Sequence, residues 1–464
     1  MNRAPSKRLA SPVVAGVLIF IVGLGARALW AMTLKNDLYW ADERAFTEIA
    51  RHLARNEGYI SESYRANPVF PFYLSLVFRF FGENLFVARL GQCIAGALTC
   101  VLIYGIGVHL FGRMTGVISG VLLAVYPPHI YLSGVLYVEC MLIFWGAVTA
   151  YLAVRSMQAS AHSAWGLATG AALALAVLTR STLIVWMPSV WLAWLWQARA
   201  AWRTRLPLCG ALLLGSTSVI VPWTIRNYLR FHSFVPVSSG FGTLLWQANN
   251  PLSTGLDHRD WDLFPNSAVW NERLARLPAE QQSALESQYN AVEARIRELN
   301  GQLHDQSLAS DRVLMPLAVR YIALHPLQTL VRSCRRLRLL FSAFSPTITT
   351  NEHTSVHYKA VAALSFYPVL ALAVLGMTLS LARFRDVALL YLLIASVAAM
   401  TALLLGTQTR YRLPVDPYLI LFASAALVRL WSWSASRGRD PTVDFARGLA
   451  ILMFVCPPIH CSVF

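Results

Sequence analysis

The chain has 464 residues, 56% of them hydrophobic and only 13% charged, with a formal net charge of +16. A soluble globular domain is about 25% charged, and here the charges are absent over long stretches and gathered in short ones, which excludes such a domain and points to a membrane protein. The basic excess does not signal nucleic acid: the Lys and Arg residues sit at the ends of apolar runs or in one polar segment, so anionic headgroups and phosphate-bearing substrates are the expected counter-charges.

In chain order, hydropathy predicts about ten spans, at roughly 11–34, 85–111, 114–132, 136–154, 163–179, 182–198, 206–224, 361–381, 387–406 and 413–433. About 20 apolar residues cross the hydrocarbon. The first run follows Arg3, Lys7 and Arg8 and reads as a signal anchor with its N-terminus in the cytoplasm. Arg113, Arg155, Arg199, Arg203, Arg205, Arg383, Arg385, Arg437 and Arg439 then all fall on the cytoplasmic side. This divides the chain into an anchor span (1–34), an outer loop with juxtamembrane helices (35–84), a transmembrane core (85–224), an outer, periplasmic-side domain (225–360), C-terminal spans (361–433) and a cytoplasmic tail (434–464). Residues 68–82 are apolar but short, with two prolines and an arginine, and are placed as an interfacial or re-entrant helix. The outer domain holds a polar helical run from about Pro278 to Leu299 and a second from about Asp311 to Phe344. Cys93, Cys100, Cys140 and Cys209 lie in apolar stretches, Cys334 in the outer domain, and Cys456 and Cys461 in the tail, so no disulfide framework is implied.

Chemistry-bearing residues collect on the outer face. Asp42 and Glu43 stand just after the first span and open a helix running from about Glu43 to Asn56, with Gly58 as its stop. Asp42 is a helix N-cap or a general base for an acceptor hydroxyl. Arg65-Ala-Asn-Pro68-Val-Phe-Pro71 is a rigid elbow, with Arg65 placed to meet a phosphate. Glu139, at the outer mouth of an uncharged run, and Arg180, between Leu178 and Ser181, are ionisable residues in or beside spans, which mark either function or snorkelling. Together Asp42, Glu43, Glu139 and Arg180 suggest a polar cavity opening outward. Pro222-Trp223-Thr-Ile-Arg226-Asn227 closes a span, where the Trp is an interfacial anchor or part of a site. Thr409-Arg410-Tyr411-Arg412-Leu413-Pro414 begins the last span, and its arginines are boundary residues or a phosphate clamp. Glu352-His353 and His357 do not form a dense metal set, and no Walker loop or GxGxxG seats a nucleotide, so neither metal nor cofactor is expected.

In order, Asp42-Glu43, the Pro68–Pro71 elbow, Phe111-Gly112-Arg113, Tyr126-Pro127-Pro128, Glu139, Leu178-Thr179-Arg180, Pro222-Trp223 to Asn227 and Arg410-Tyr411-Arg412-Leu413-Pro414 form a pattern. It resembles the bacterial glycosyltransferase family 39 proteins, relatives of the dolichyl-phosphate-mannose protein mannosyltransferases and of the lipid A aminoarabinose transferase, in the GT-C superfamily. The resemblance covers about residues 10–255 and 360–430 and leaves 256–360 unmatched. It implies an all-α polytopic membrane protein with a GT-C-like core, outer juxtamembrane helices and a mixed outer loop domain. It also implies a transferase in the plasma (inner) membrane, active on the outer face, that uses a polyprenyl-phosphate sugar and a lipid, protein or glycan acceptor. Carried over residue by residue, Asp42 is the catalytic carboxylate with Glu43 in support. Arg180, Arg410 and Arg412 hold the phosphate, Glu139 lines the cavity or meets sugar hydroxyls, and Arg65 and Arg226 contact substrate. One carboxylate suffices, because a departing lipid phosphate needs charge stabilisation more than a proton. A Tyr commonly follows the acidic pair in the family, where Phe46 stands near that place here; a Lys lies near the elbow in the aminoarabinose transferase, where only Arg65 is close here.

A transporter or lipid flippase is the alternative, since it too buries charge in spans, but it usually carries internal repeats and this chain has none. An O-antigen ligase or polymerase does not place an acidic pair after the first span, and a membrane scaffold has no need of Asp42, Glu139 and Arg180 together. The apolar tail Gly448 to Phe464 matches no pattern.

Overall fold

The computed structural model describes residues 11–60, 67–158, 163–255, 263, 267–303, 305–343, 356–404 and 409–436. Among them the chain forms eighteen α-helices and no strand. The crossing helix α1 (Pro12–Thr33) starts at Ser11, whose hydroxyl accepts from the Val14 N–H at 3.3 Å, and has proline at its first position, where a missing N–H costs nothing. Two outer helices follow, α2 (Ala41–Ala54) and α3 (Val69–Phe81). The core continues through α4 (Leu85–Phe111), α5 (Arg113–Ala124), α6 (Pro127–Gly134), α7 (Val138–Gln158), α8 (Ser163–Thr179), α9 (Trp186–Gln197) and α10 (Leu206–Phe231). The outer segment holds α11 (Phe241–Ala248), α12 (Ala268–Leu274), α13 (Ala279–Leu303), α14 (Gln306–Leu324) and α15 (Pro326–Leu340). The chain returns to the apolar bundle in α16 (Val356–Ser380), α17 (Phe384–Leu404) and α18 (Asp416–Ser436).

Six described stretches are long and apolar enough to cross a bilayer, or seven if α5 and α6, bent by 49° to each other, make one span. This is fewer than the ten that hydropathy suggested, for two reasons. The stretch Lys359–Leu403 is 45 residues long and turns at Leu381–Arg383. The Tyr391 hydroxyl donates to the Met377 carbonyl at 2.5 Å across that turn, so the chain folds back there. In addition, α8 has 17 residues and α9 has 12, rising about 26 and 18 Å where the hydrocarbon is about 30 Å thick. The break between them falls at Arg180, whose backbone is extended (φ −155°, ψ 119°), followed by a 3-10 turn over Ser181–Val185.

Close packing in this bundle is carried by small residues. A Cβ on Gly170 of α8 would lie 2.0 Å from the Leu212 carbonyl oxygen of α10, and one on Gly215 would lie 2.3 Å from that of Leu167. Between apolar helices in lipid, such backbone approach replaces the hydrophobic drive that operates in water.

At 13 residues α3 is too short to span; it buries Phe70, Leu74 and Phe78 and exposes Phe72, Leu76, Phe80 and Phe81, the pattern of a helix lying in the interface. The polar run expected at Pro278–Leu299 is α13. The run expected over Asp311–Phe344 is two helices, α14 and α15, because Pro326 pushes His325 out of helical geometry (φ −127°, ψ 54°). The described outer segment packs on its own aromatic core, with the Trp270 and Tyr289 rings 4.5 Å apart and Trp246 5.6 Å from each.

Candidate active site

The helix α2 starts two residues earlier than an N-capping Asp42 requires. The N-cap is Trp40, and both Asp42 and Glu43 lie in the first turn, where the helix dipole favours negative charge. The helix ends at Ala54, and the chain then turns through two positive-φ residues, Asn56 (62°) and Gly58 (91°).

Within that turn the two carboxylates part company. Glu43 is 0% exposed. Its Oε2 accepts from the backbone N–H of Tyr39 (2.5 Å) and Trp40 (2.7 Å), and its Oε1 from that of Leu136 (2.5 Å). Burial pushes the Glu43 carboxyl above the ordinary carboxylate range, against these three hydrogen bonds and the charge of Arg89, which pull it down. Every described hydrogen bond of Glu43 goes to backbone, and the one from Leu136 ties α2 to the Val135–Tyr137 link between α6 and α7. Asp42 instead has a side chain 56% exposed. It accepts a hydrogen bond from the Tyr137 hydroxyl, and its Oδ2 is 3.7 Å from Arg410 Nη1.

Tyr137 is the bridge. Its ring packs against Trp40 and Phe46, with centroids 5.4 and 5.6 Å away. Burial raises its hydroxyl well above the usual phenol range and keeps it a donor. Arg410 Nη1 donates to the same hydroxyl at 2.7 Å, and its guanidinium lies over the Tyr137 and Tyr411 rings at 5.3 and 5.7 Å. On the other side of Tyr411, the Arg180 guanidinium sits 4.6 Å from the ring centroid and forms an ion pair with Glu139, which is 1% exposed. A continuous network therefore runs Asp42, Tyr137, Arg410, Tyr411, Arg180, Glu139. It is not saturated: Glu139 Oε2 and Arg410 Nε are buried without a hydrogen-bond partner. A cleft with about 320 Å³ of empty space opens beside the two arginines, with walls that include Leu142, Leu183, Val397, Met400 and Pro414. A charged head with an apolar tail matches such a cleft.

Of the residues singled out in the sequence, the structure thus brings together Asp42, Glu139, Arg180 and Arg410, with Glu43 behind them as a brace. It separates two others. Arg412, 2% exposed, is paired with Asp416 at 2.9 Å, donates to the carbonyls of Leu340 and Ser342, and lies over the Phe366 ring. It therefore locks α18 to the end of α15 and is not part of a phosphate clamp with Arg410. Arg226 lies among the rings of Tyr59, Trp223 and Phe231 at 5.0, 4.8 and 5.5 Å and donates to the Tyr59 carbonyl at 2.9 Å. It lines a different cavity. Arg65 falls outside the described residues, as do Glu352, His353 and the tail after Ser436. Tyr137 and Tyr411 were missed by sequence reasoning, because a tyrosine at a membrane edge reads as part of the aromatic belt; each stands next but one or next to a charged residue of the network, which is the signal that was there.

A family model described as dolichyl-phosphate-mannose-protein mannosyltransferase matches residues 65–225, about a third of the chain, which includes Glu139 and Arg180 but neither Asp42 nor Arg410. Two solved structures of the oligosaccharyltransferase from Archaeoglobus fulgidus align with almost the whole chain. One is the archaeal enzyme AglB in complex with an inhibitory peptide and a dolichol-phosphate: 13% identity, TM-score 0.56, covering 96% of this chain and 54% of that one. The other is the apo form: 14% identity, TM-score 0.57, covering 96% and 55%. The chain has the GT-C fold. It is an integral, multi-pass membrane protein. It spans about half the length of the GT-C structures it matches, and a sequence search of curated proteins returns no match. In this GT-C fold the network lies where the start of α2, the start of α7, the end of α8 and the lead-in to α18 converge.

Proposed function

We propose that the protein is a membrane glycosyltransferase that moves a sugar from a polyprenyl-phosphate donor to an acceptor hydroxyl on the outer, periplasmic-side face. The observation that carries this reading is the Asp42–Tyr137–Arg410 bridge, with Arg180 beyond it, at the mouth of an apolar-walled cleft. A solvent-open carboxylate and two inward arginines are the parts that transfer from a lipid phosphate needs. The family model and the dolichol-phosphate bound to the archaeal relative support the same donor class.

Asp42 takes the proton of the acceptor hydroxyl as the oxygen bonds to the anomeric carbon. The bond from that carbon to the phosphate oxygen breaks, and its electron pair leaves with the polyprenyl phosphate. The phosphodiester carries one negative charge and the released monoester two, so charge grows on the leaving group. Arg410 and Arg180 are placed to meet that growth, and guanidinium binds phosphate through paired donors. A single displacement inverts the anomeric configuration. Glu139 holds Arg180 in position, and Glu43 holds the first turn of α2 that presents Asp42.

The test is sugar transfer from a radiolabelled polyprenyl-phosphate sugar in membranes, comparing the wild type with Asp42→Asn in matched, folded amounts. Loss of transfer in the variant is expected. Equal transfer in both removes Asp42 as the base, and no transfer in either, with lipid movement across the bilayer instead, would establish the flippase alternative.

A further inference from the structure

A second cavity is lined by residues that include Tyr59, Trp223, Arg226, Phe231, Arg230 and Asp305. It is a built site. Trp223 and Asn227 of α10 clamp the stretch that follows it: Trp223 Nε1 donates to the Val237 carbonyl at 2.8 Å, and Asn227 Nδ2 to those of Val235 and Val237 at 3.0 and 3.2 Å. Arg226, held among three rings, fixes the aromatic wall.

The floor carries an unmet polar group. Asp305 is the N-cap of α14, and its Oδ1 accepts from the N–H groups of Ser307 (2.9 Å) and Leu308 (3.1 Å). Its Oδ2 is buried with no hydrogen-bond partner, although the residue is only 3% exposed. Burial raises its carboxyl above the ordinary range. A buried polar atom left unpaired is costly, so a ligand that supplies a donor to this oxygen recovers that cost. The exposed Arg230 stands at the rim.

Its position relates it to the catalytic network. The stretch Val235–Ser239 forms a wall of this cavity through Val235 and Val237. One residue on, Ser238 Oγ lies 3.4 Å from the hydroxyl of Ser181, which follows Arg180, and Ser239 bonds Ser307 of α14 at 2.9 Å. One short segment therefore separates the Arg180 cleft from the Asp305 cavity.

We propose that the Asp305 cavity binds a sugar unit of the acceptor, which makes the acceptor a sugar-bearing molecule. A pyranose offers hydroxyl donors on its rim and an apolar face of C–H groups. The cavity offers an unpaired carboxylate oxygen, the guanidinium groups of Arg226 and Arg230, and aromatic walls. The word acceptor rests on the transferase reading above; the binding of a sugar does not.

The experiment is saturation-transfer NMR on the full chain in detergent micelles, without donor, using the methyl glycosides of glucose, galactose, mannose and N-acetylglucosamine in the millimolar range. Transfer to the ring protons of at least one glycoside is expected. Asp305→Asn is the first variant: asparagine caps a helix as well as aspartate does, so the fold is kept while the acceptor oxygen becomes a donor. Ile60→Trp, at the cavity wall, is the second and fills the space. Each should weaken binding about tenfold. No transfer to any glycoside with the wild type overturns the proposal, as does wild-type binding by both variants. Because binding is read without donor, loss of catalysis with binding intact counts against the transferase reading alone.

Discussion

Tyr137→Phe removes one oxygen from the centre of the network and little else. The ring keeps its packing against Trp40 and Phe46, so the fold should survive. Two hydrogen bonds are lost, one to the Asp42 carboxylate and one from Arg410. Bonds to charged groups are worth about 1.5–3 kcal/mol each in net terms. The two losses are unequal. Asp42 is 56% exposed, and water replaces its partner; Arg410 is 19% exposed, and its freed nitrogen has less water to turn to. The direct attraction of Asp42 for Arg410 at 3.7 Å survives, screened by solvent. The net cost is then about that of one charge-assisted bond, and a loss of about 10- to 100-fold in kcat/KM follows. It should fall on kcat, because the hydroxyl aligns base and arginine rather than gripping the donor. The assay is steady-state transfer with varied donor, beside a thermal melt of the same preparation. A variant that melts like the wild type and transfers sugar at the wild-type rate would refute the bridge as a catalytic element.

Two further outcomes test the division of labour around that site. Arg412→Lys should cost about 1–3 kcal/mol of stability, because the compact ammonium cannot span the spacing of Asp416 and the two carbonyls as the planar guanidinium fork does; a lowered melting temperature, without a selective rise in donor KM in the surviving fold, is the expected result. Asp305→Asn should raise the melting temperature by about 1–2 °C near neutral pH. The sign follows from the raised carboxyl: stability from the protonated form is fully present below the unfolded value and is lost as pH rises through the folded one, so the wild type should melt lower as pH rises through that window while the variant does not.

Much of this was legible in the sequence because lipid imposes strong rules. Apolar run length located most of the long crossing helices, and it overcounted where α8 and α9 are too short to span. The extended break at Arg180 and the short helix α3 followed from a charge and from two prolines in short apolar runs. What one dimension does not carry is which way a side chain points after a turn. Asp42 and Glu43 are neighbours, yet one faces solvent and the other is spent on three backbone N–H groups. The break at His325-Pro326 was readable from the proline alone. The Asp305 cavity was not, because its walls come from Tyr59, α10 and the start of α14, more than 200 residues of chain brought together by packing.

The arginines show why charge alone did not single out the site. All of the basic residues but Lys7, Lys35 and Lys359 are arginines, and they outnumber their acidic partners. A helix leaves its last carbonyls unpaired, and in a bilayer no water serves them. In this chain arginines do. Arg27 donates to the carbonyls of Leu123 and Ala124 at the end of α5, Arg89 to Gly134 at the end of α6, and Arg205 to Ser156 and Met157 near the end of α7. Arg383 reaches Leu110 of α4, Arg429 reaches Leu379 of α16, and Arg336 reaches both Ala248 of α11 and Ala402 of α17. Each is a cation at the negative end of a helix dipole, which is how a net charge of +16 is held without matching carboxylates. Arg412 belongs to this class through Leu340 of α15. Arg180 and Arg410 do not: their described hydrogen bonds go to the Glu139 carboxylate and the Tyr137 hydroxyl, and none goes to a helix end. An arginine that caps nothing, buried at the mouth of a cleft, keeps its charge available for a ligand, and that distinction, rather than position in the Arg410-Tyr411-Arg412 motif, separates Arg410, the arginine proposed to meet the phosphate, from the structural one two residues away.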